Sequence, residues 1–259
     1  MLRPHVLLFA GTESQGRAGL HSDLRALHGF PLQVSSVVTC ITAQPIGSLP
    51  SALLASTALL EQQLDAALQL GPPAAIKVGL LGSEAAAQAL IALRQHLGPA
   101  LHCPMIIDPV MHSSAASPAS GLSSLSRAVW WQLLSLADLV TPNLQEAAWL
   151  LQVDLAQVVQ RPALAARALA ERLQTHVLLK GGHGAGQLLT DTLIEGADQL
   201  SFSRPRVQVA TRGTGCYLAS AIAARLALGK TLRQACVDAG DQLHAALRQG
   251  QPPACLTGG

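Results

Sequence analysis

HVLLFAGTESQGRAGLHSDLRALHGFPLQVSSVVTCITAQ, residues 5–44, is the stretch on which the fold class turns. A short apolar run, HVLLFA, ends in a glycine turn; a stretch of helical period over 16–29 follows, and then a second β-rich run, VSSVVTCIT. Apolar runs too short for helices, alternating with Ala/Leu-rich amphipathic stretches, are the signature of βαβ units around a parallel sheet. The alternation continues outward. A helix is predicted over 51–70, then a strand in AIKVGLL, a helix over 83–98, a strand in CPMIIDPV and a helix over 121–136. ADLVTP, helices from about 143 and over 161–173, and THVLLKGG extend the series. GQLLTDTLIEG and QLSFSRPRV read as two adjacent strands, an antiparallel edge on an otherwise parallel sheet. Helices over 214–228 and 231–248 end the pattern, and QPPACLTGG is a Pro/Gly tail. The expectation is an α/β fold with a central, mostly parallel sheet flanked by helices, forming one domain over 1–259 that loosens from about 250.

Composition agrees with a sheet buried on both faces: 49% of the 259 residues are hydrophobic and 12% charged. The net charge of +2 comes from scattered Arg without a basic run, and aromatics are 3%, which argues against a nucleic-acid partner. No run of about 18 apolar residues offers a membrane span, and MLRPHVLLFAGTE reads as a first strand, not a signal peptide. Cys40, Cys103, Cys216, Cys236 and Cys255 are odd in number and widely spaced, which fits a reduced, cytoplasmic protein. The apolar balance also fits a homodimer.

In a sheet of this kind ligands gather at the carboxyl ends of the strands, where loops and helix starts converge. Gly11, Gln44, Gly79, Asp108, Asn143, Gly181 and the segment 211–216 all fall at such positions. Thr211-Arg212-Gly213-Thr214-Gly215-Cys216 stands directly before the helical run YLASAIAARLALG. Its glycines let successive N–H groups turn to one spot at a helix start, a receptor for an anion such as a phosphoryl group; a plain glycine-rich cap is the other reading. Cys216 in the first turn is expected to have a lowered thiol pKa and to be available as base or nucleophile. Asp108, at the end of PMIID, suits Mg²⁺ or its bound water, or a turn. Asn143 and Glu146 have the spacing of a capping box. Lys77 and Lys180 are two of only three lysines, each inside an apolar strand, and call for an anionic partner unless they snorkel to the strand end. Asp23, on the first helix, faces the site or caps the helix. Gln44 has an amide suited to a heteroaromatic ring with a ring nitrogen and an amino group, and an ordinary surface position is the alternative.

Read in order, A-G-L-H-S-D-L (18–24), T-A-Q (42–44), K-V-G-L-L-G (77–82), D-P-V-M (108–111), T-P-N-L-Q-E (141–146), K-G-G-H (180–183) and G-T-G-C (213–216) resemble the hydroxymethylpyrimidine and phosphomethylpyrimidine kinases of thiamine biosynthesis, over nearly the whole chain. The resemblance implies a ribokinase-like three-layer sandwich that uses ATP and Mg²⁺, with a monovalent cation as an optional addition. It implies pyrimidine binding by Gly11, Asp23 and Gln44. Asp108, Asn143, Lys180 and Thr211 would serve ATP, Asp108 and Glu146 the metal. Gly213, Thr214 and Gly215 would form the catalytic turn, with Cys216 as base. Pyridoxal or pyridoxine-type kinases are the nearest alternative, and a pyrimidine-binding protein with weakened transfer is a further one. Four departures from the family pattern stand out. Arg17 occupies a position where glycine is usual; HSSAASPASG (112–121) has neither the usual Lys nor the Asp; and Arg212 and Tyr217 replace a customary His and Thr.

Overall fold

The computed structural model describes residues 3–43, 51–98, 103–111, 125–182, 186–208 and 212–250. Its first half reads β1 (His5–Glu13), α1 (Leu20–Leu27), β2 (Gln33–Ala43), β3 (Ser51–Leu54), α2 (Thr57–Leu68), β4 (Ala75–Val78), α3 (Glu84–Leu97) and β5 (Met105–Ile107). Next come α4 (Arg127–Leu134), β6 (Leu139–Val140), α5 (Leu144–Leu151), α6 (Leu155–Gln160) and α7 (Pro162–Leu173). The chain continues through β7 (His176–Leu179), β8 (Leu188–Glu195), β9 (Asp198–Pro205), α8 (Thr214–Ala227) and α9 (Leu232–Arg248).

Among the described residues the strands form a nine-stranded sheet in the order β3-β2-β1-β4-β5-β6-β7-β8-β9. The pairs from β2 to β7 are parallel. Both ends are antiparallel, β3 on β2 and β8–β9 beyond β7. The expected late antiparallel edge is therefore present. Strand order reverses between β1 and β4: β1 leads to β2 on one side, while β4, β5 and β6 proceed on the other. That reversal opens the crevice in which such sheets bind ligands.

Side-chain alternation divides the interior into two layers. Leu7, Phe9, Ile76, Val78, Met105 and Ile107 face one core, completed by α2, α3, α4, α5 and α7. Val6, Leu8, Ala10, Ala75 and Ile106 face the other, built with α1, α8 and α9. Lys77 lies between Ile76 and Val78, so the pleat turns it toward the layer of α1 and α8, where it is fully buried.

Local chemistry sets most element boundaries. The Ser56, Ser83, Ser126 and Thr231 hydroxyls accept backbone N–H bonds at the starts of α2, α3, α4 and α9, and Pro162 opens α7. The expected helix over 51–70 needs correction: residues 51–54 are strand β3, in register with β2 from Ala43↔Ser51 to Cys40↔Leu54, and the helix begins only after the Ser56 cap. SALL has good helix formers, but pairing with an open sheet edge overrides propensity in so short a segment. The first helix also starts later than the expected 16, because Gly19 has a left-handed φ of 58° and terminates the loop there.

Candidate functional site

The centre of the site is the start of α8. Gly213 is its N-cap, with φ of 77°, and a side chain there would collide with the Arg17 carbonyl oxygen. The Ser22 hydroxyl donates to the Gly213 carbonyl at 2.8 Å and so ties the turn to α1. α8 runs for 14 residues from Thr214, and its unpaired first N–H groups and dipole converge on the 213–216 turn. Lys180, just beyond β7, pairs with Asp108, just beyond β5, at 2.5 Å; Thr141 donates to the same carboxylate oxygen at 3.2 Å. A Cβ on Gly215 would lie 3.0 Å from Lys180 Nζ and 3.2 Å from Asp108 Oδ2. A side chain there would push this ion pair away from the first turn of α8 by a few tenths of an ångström, so glycine gives it the closest approach.

A second ion pair lies behind the first. Lys77 Nζ is 2.7 Å from Asp23 Oδ1, with both side chains fully buried, and the Ser220 hydroxyl of α8 donates to that oxygen at 2.9 Å. Lys77 thus has the anionic partner its position called for. Asp23 does not cap α1; it lies inside the layer between α1 and α8. Burial alone would depress the Lys77 ammonium, but Asp23, with Cys216 and Asp108 adding, outweighs burial and holds it above its ordinary value. Lys180 follows the same balance, raised by Asp108 and then Glu146 against its own burial.

Asn143 and Glu146 form the expected capping box at the start of α5, each side chain bonded to the other's backbone N–H at 2.8 Å. Burial pushes the Glu146 carboxyl up to about 7, opposed by Lys180 and reinforced by Asp108. Cys216 departs from expectation. Burial of its thiol, with Asp23 and Asp108 nearby, pushes it up to about 11, although Lys77 and a bond from the Gly19 N–H pull the other way. The helix start does not leave an acidic thiol here, because two carboxylates and desolvation outweigh it. Cys40, Cys103 and Cys236 are buried free thiols, as expected of small apolar side chains.

Gly11 is buried at the end of β1, its N–H donating to the Leu80 carbonyl at 3.1 Å, and Gly19 packs against its carbonyl oxygen. Between these glycines the Glu13 carboxylate accepts the N–H groups of Gln15, Arg17 and Ala18, which folds the loop back toward Gly213. Of the sequence-predicted residues, Gly11, Asp23, Asp108, Lys180, Gly213, Thr214, Gly215 and Cys216 come together around the start of α8. Asn143 and Glu146 join them through Lys180, which forms a parallel bridge with Asn143. Gln44, Thr211, His183, the segment 112–121 and Cys255 lie outside the described residues.

Sequence reading missed the other wall. A cavity of about 340 Å³ adjoins Lys180, Thr214 and Gly215 and is bounded across by Asp191, Arg204 and His244. Asp191 of β8 accepts the Gly181 N–H at 2.9 Å and so holds the loop that carries Lys180. Arg204 of β9 donates to Asp241 at 2.8 Å and to the Val237 carbonyl at 2.9 Å, its guanidinium pressed against Gly240 of α9. The only sequence signal was an acid and an arginine within two strands read as an edge pair.

A family model described as phosphomethylpyrimidine kinase matches residues 13–255. The chain is 35% identical over 251 residues to the "Thiamine biosynthesis bifunctional protein ThiED" of Geobacter sulfurreducens, covering 96% of this chain and 50% of that one. It is 32% identical over 243 residues to the "Hydroxymethylpyrimidine/phosphomethylpyrimidine kinase" of Rhizobium meliloti, covering 93% of this chain and 90% of that one. The chain spans about half the length of the bifunctional relatives it matches. Among solved structures, the pyridoxal kinase of Staphylococcus aureus in complex with AMP-PCP and pyridoxal superposes with a TM-score of 0.79 at 25% identity, covering 93% of this chain and 86% of that one.

Proposed function

The chain belongs to the phosphomethylpyrimidine kinase family, and from that premise we propose that it transfers the γ-phosphoryl group of ATP to the hydroxymethyl oxygen of 4-amino-5-hydroxymethyl-2-methylpyrimidine, and then to the resulting monophosphate, in thiamine biosynthesis. The observation that carries this reading is the contact of Gly215 with the Lys180–Asp108 pair, which sets a cation, a carboxylate and the amides of a helix start around one point. Phosphoryl transfer asks for little covalent chemistry from a protein. It asks for positioning and for stabilisation of charge on the phosphoryl oxygens.

In this reading the nucleotide occupies the cavity beside Lys180, with its terminal phosphate on the 213–216 turn. Thr211 and Asn143 serve the same phosphates. The pyrimidine sits on the opposite side, toward Gly11, Asp23 and Gln44. Asp108 and Glu146 suit Mg²⁺: both are hard oxygen donors, and among the described residues no cluster of three metal-binding side chains exists, so phosphate oxygens and water would complete the shell. Bound there, the ion would neutralise charge on the phosphates. Cys216 accepts the hydroxyl proton as the oxygen attacks. It does so as the thiolate, formed when the thiol first gives its proton to water; with the thiol pushed up to about 11 this form is scarce at neutral pH but strongly basic, and the charge of Lys77 favours it.

Coupled ATP-turnover assays with hydroxymethylpyrimidine, its monophosphate and pyridoxal test the reading. Turnover of the first two is expected; turnover of none, or of pyridoxal alone, refutes it. Cys216→Ala is expected to lower kcat on the hydroxymethyl substrate by about 10²-fold or more, the usual scale of a lost general base, while ATP binding persists. Near-normal turnover in that variant refutes the base assignment.

A further inference from the structure

We propose that Arg17 is the residue that receives the phosphate of the phosphorylated pyrimidine, and that it tilts this chain toward the second of the two transfers. The proposal rests on the kinase reading above. It starts from the placement of residue 17. The Glu13 carboxylate accepts the Arg17 N–H, and the Arg17 carbonyl oxygen occupies the space a side chain on Gly213 would need, so the backbone of residue 17 is fixed beside the helix-start turn. Two residues on, Gly19 packs against the Gly11 carbonyl oxygen, so the loop that carries Arg17 joins the pyrimidine side of that reading to the turn that would hold the transferring group. In the second transfer the acceptor is the phosphate already esterified to the pyrimidine's methylene, and it must sit between these two.

The other cations near the turn are committed. Lys77 is 2.7 Å from Asp23 and Lys180 is 2.5 Å from Asp108, so each is neutralised by a carboxylate. Arg212 already has a partner of its own. Arg17 takes part in none of the ion pairs among the described residues, and its Nε is buried without a hydrogen-bond partner. A buried donor left unsatisfied costs free energy that an anionic ligand would recover. A planar guanidinium with several donors matches a phosphate, which at neutral pH carries a charge of about −1.5 to −2. The segment 112–121, after Asp-Pro-Val-Met, has no Lys or Arg to share that task.

The transfer balances without a base. A non-bridging oxygen of the substrate phosphate, already anionic, forms the new bond to the γ-phosphorus. The bond from that phosphorus to the ADP oxygen breaks, and its electron pair leaves with ADP. Arg17 binds the acceptor phosphate and offsets the repulsion between two anions brought together.

The test compares wild type, Arg17→Gly and Arg17→Lys in steady-state kinetics on both pyrimidines. The readout is the ratio of kcat/KM for the phosphorylated substrate to that for the alcohol. Loss of a charge-assisted bond is expected to lower this ratio about tenfold or more in Arg17→Gly, with partial recovery in Arg17→Lys. A ratio within about twofold of wild type shows that Arg17 only shapes the loop and overturns the assignment. Titration calorimetry of phosphomethylpyrimidine against the same proteins needs no turnover. A Kd about tenfold weaker in Arg17→Gly supports the proposal; equal Kd values, or no binding to wild type, overturn it. Wild type that binds the phosphorylated pyrimidine in an Arg17-dependent way but phosphorylates no pyrimidine refutes the kinase reading and leaves the Arg17 assignment standing.

Discussion

Replacing Lys77 with methionine would leave the Asp23 carboxylate in a fully buried site with the Ser220 hydroxyl as its remaining donor to Oδ1, while Oδ2 already lacks a hydrogen-bond partner. Removing one member of a buried ion pair costs about 3–5 kcal/mol, because the other charge stays in a medium that solvates it poorly. Set against a typical total of about 5–15 kcal/mol, Lys77→Met removes at least about a fifth of the stability of a domain, and all of it at the marginal end. The paired variant Lys77→Met/Asp23→Leu removes both charges and fills the space with apolar atoms. It loses the Ser220 bond, worth about 1 kcal/mol, and escapes the stranded charge. Urea unfolding followed by far-UV circular dichroism measures all three, with Asp23→Leu completing the cycle. Each single variant is expected to be destabilised by about 3 kcal/mol or more, and the double by at least about 2 kcal/mol less than the sum of the two. A Lys77→Met variant within about 1 kcal/mol of wild type, or an additive double, refutes the claim that the pair is a mutually dependent buried unit.

Two further outcomes follow from the site's chemistry. With its thiol pushed up to about 11, Cys216 of the ligand-free protein should be alkylated by iodoacetamide about tenfold faster for each pH unit between roughly 7 and 10, since only the thiolate reacts; peptide mass spectrometry separates it from the other cysteines, and a rate that levels off near pH 8 contradicts the raised pKa. Gly240→Ala improves helix propensity by about 1 kcal/mol, yet its Cβ would lie 2.6 Å from the Arg204 guanidinium. The guanidinium must move off Asp241 and Val237, so a net loss of about 1–2 kcal/mol and a Tm lower by a few degrees are expected in thermal unfolding, and an unchanged or higher Tm would show that this wall yields freely.

The start of α8 was legible because its signal is local: glycines that free the backbone, directly followed by a helical run, need no knowledge of distant residues. The same holds for the Asn143–Glu146 capping box. The need for a counter-charge at Lys77 was also legible, as an ammonium inside an apolar strand, but its partner was not, since Asp23 is 54 residues away and meets it only once β1 and β4 lie side by side. β3 was misread because three of its four residues, Ala52, Leu53 and Leu54, are good helix formers, while the state of so short a segment is decided by β2 next to it. The Cys216 thiol was misjudged for a related reason: the helix start is local and visible, whereas the burial that chiefly raises the thiol, and the carboxylates from α1 and the end of β5 that add to it, arise only when distant elements pack around it. Asp191 and Arg204 left no motif, because their task is to hold other elements in place.

The commitment of the lysines has a consequence for chemical probing. With Lys77 sealed and Lys180 clasped to Asp108, the exposed ε-amine among the three lysines is that of Lys230, between α8 and α9. Among the lysines, an amine-directed label or cross-linker therefore samples the protein at that point. Its appearance on Lys180 would report the Asp108 clasp letting go, so that acylation of this residue becomes a clock for the opening of the ion pair at the start of α8.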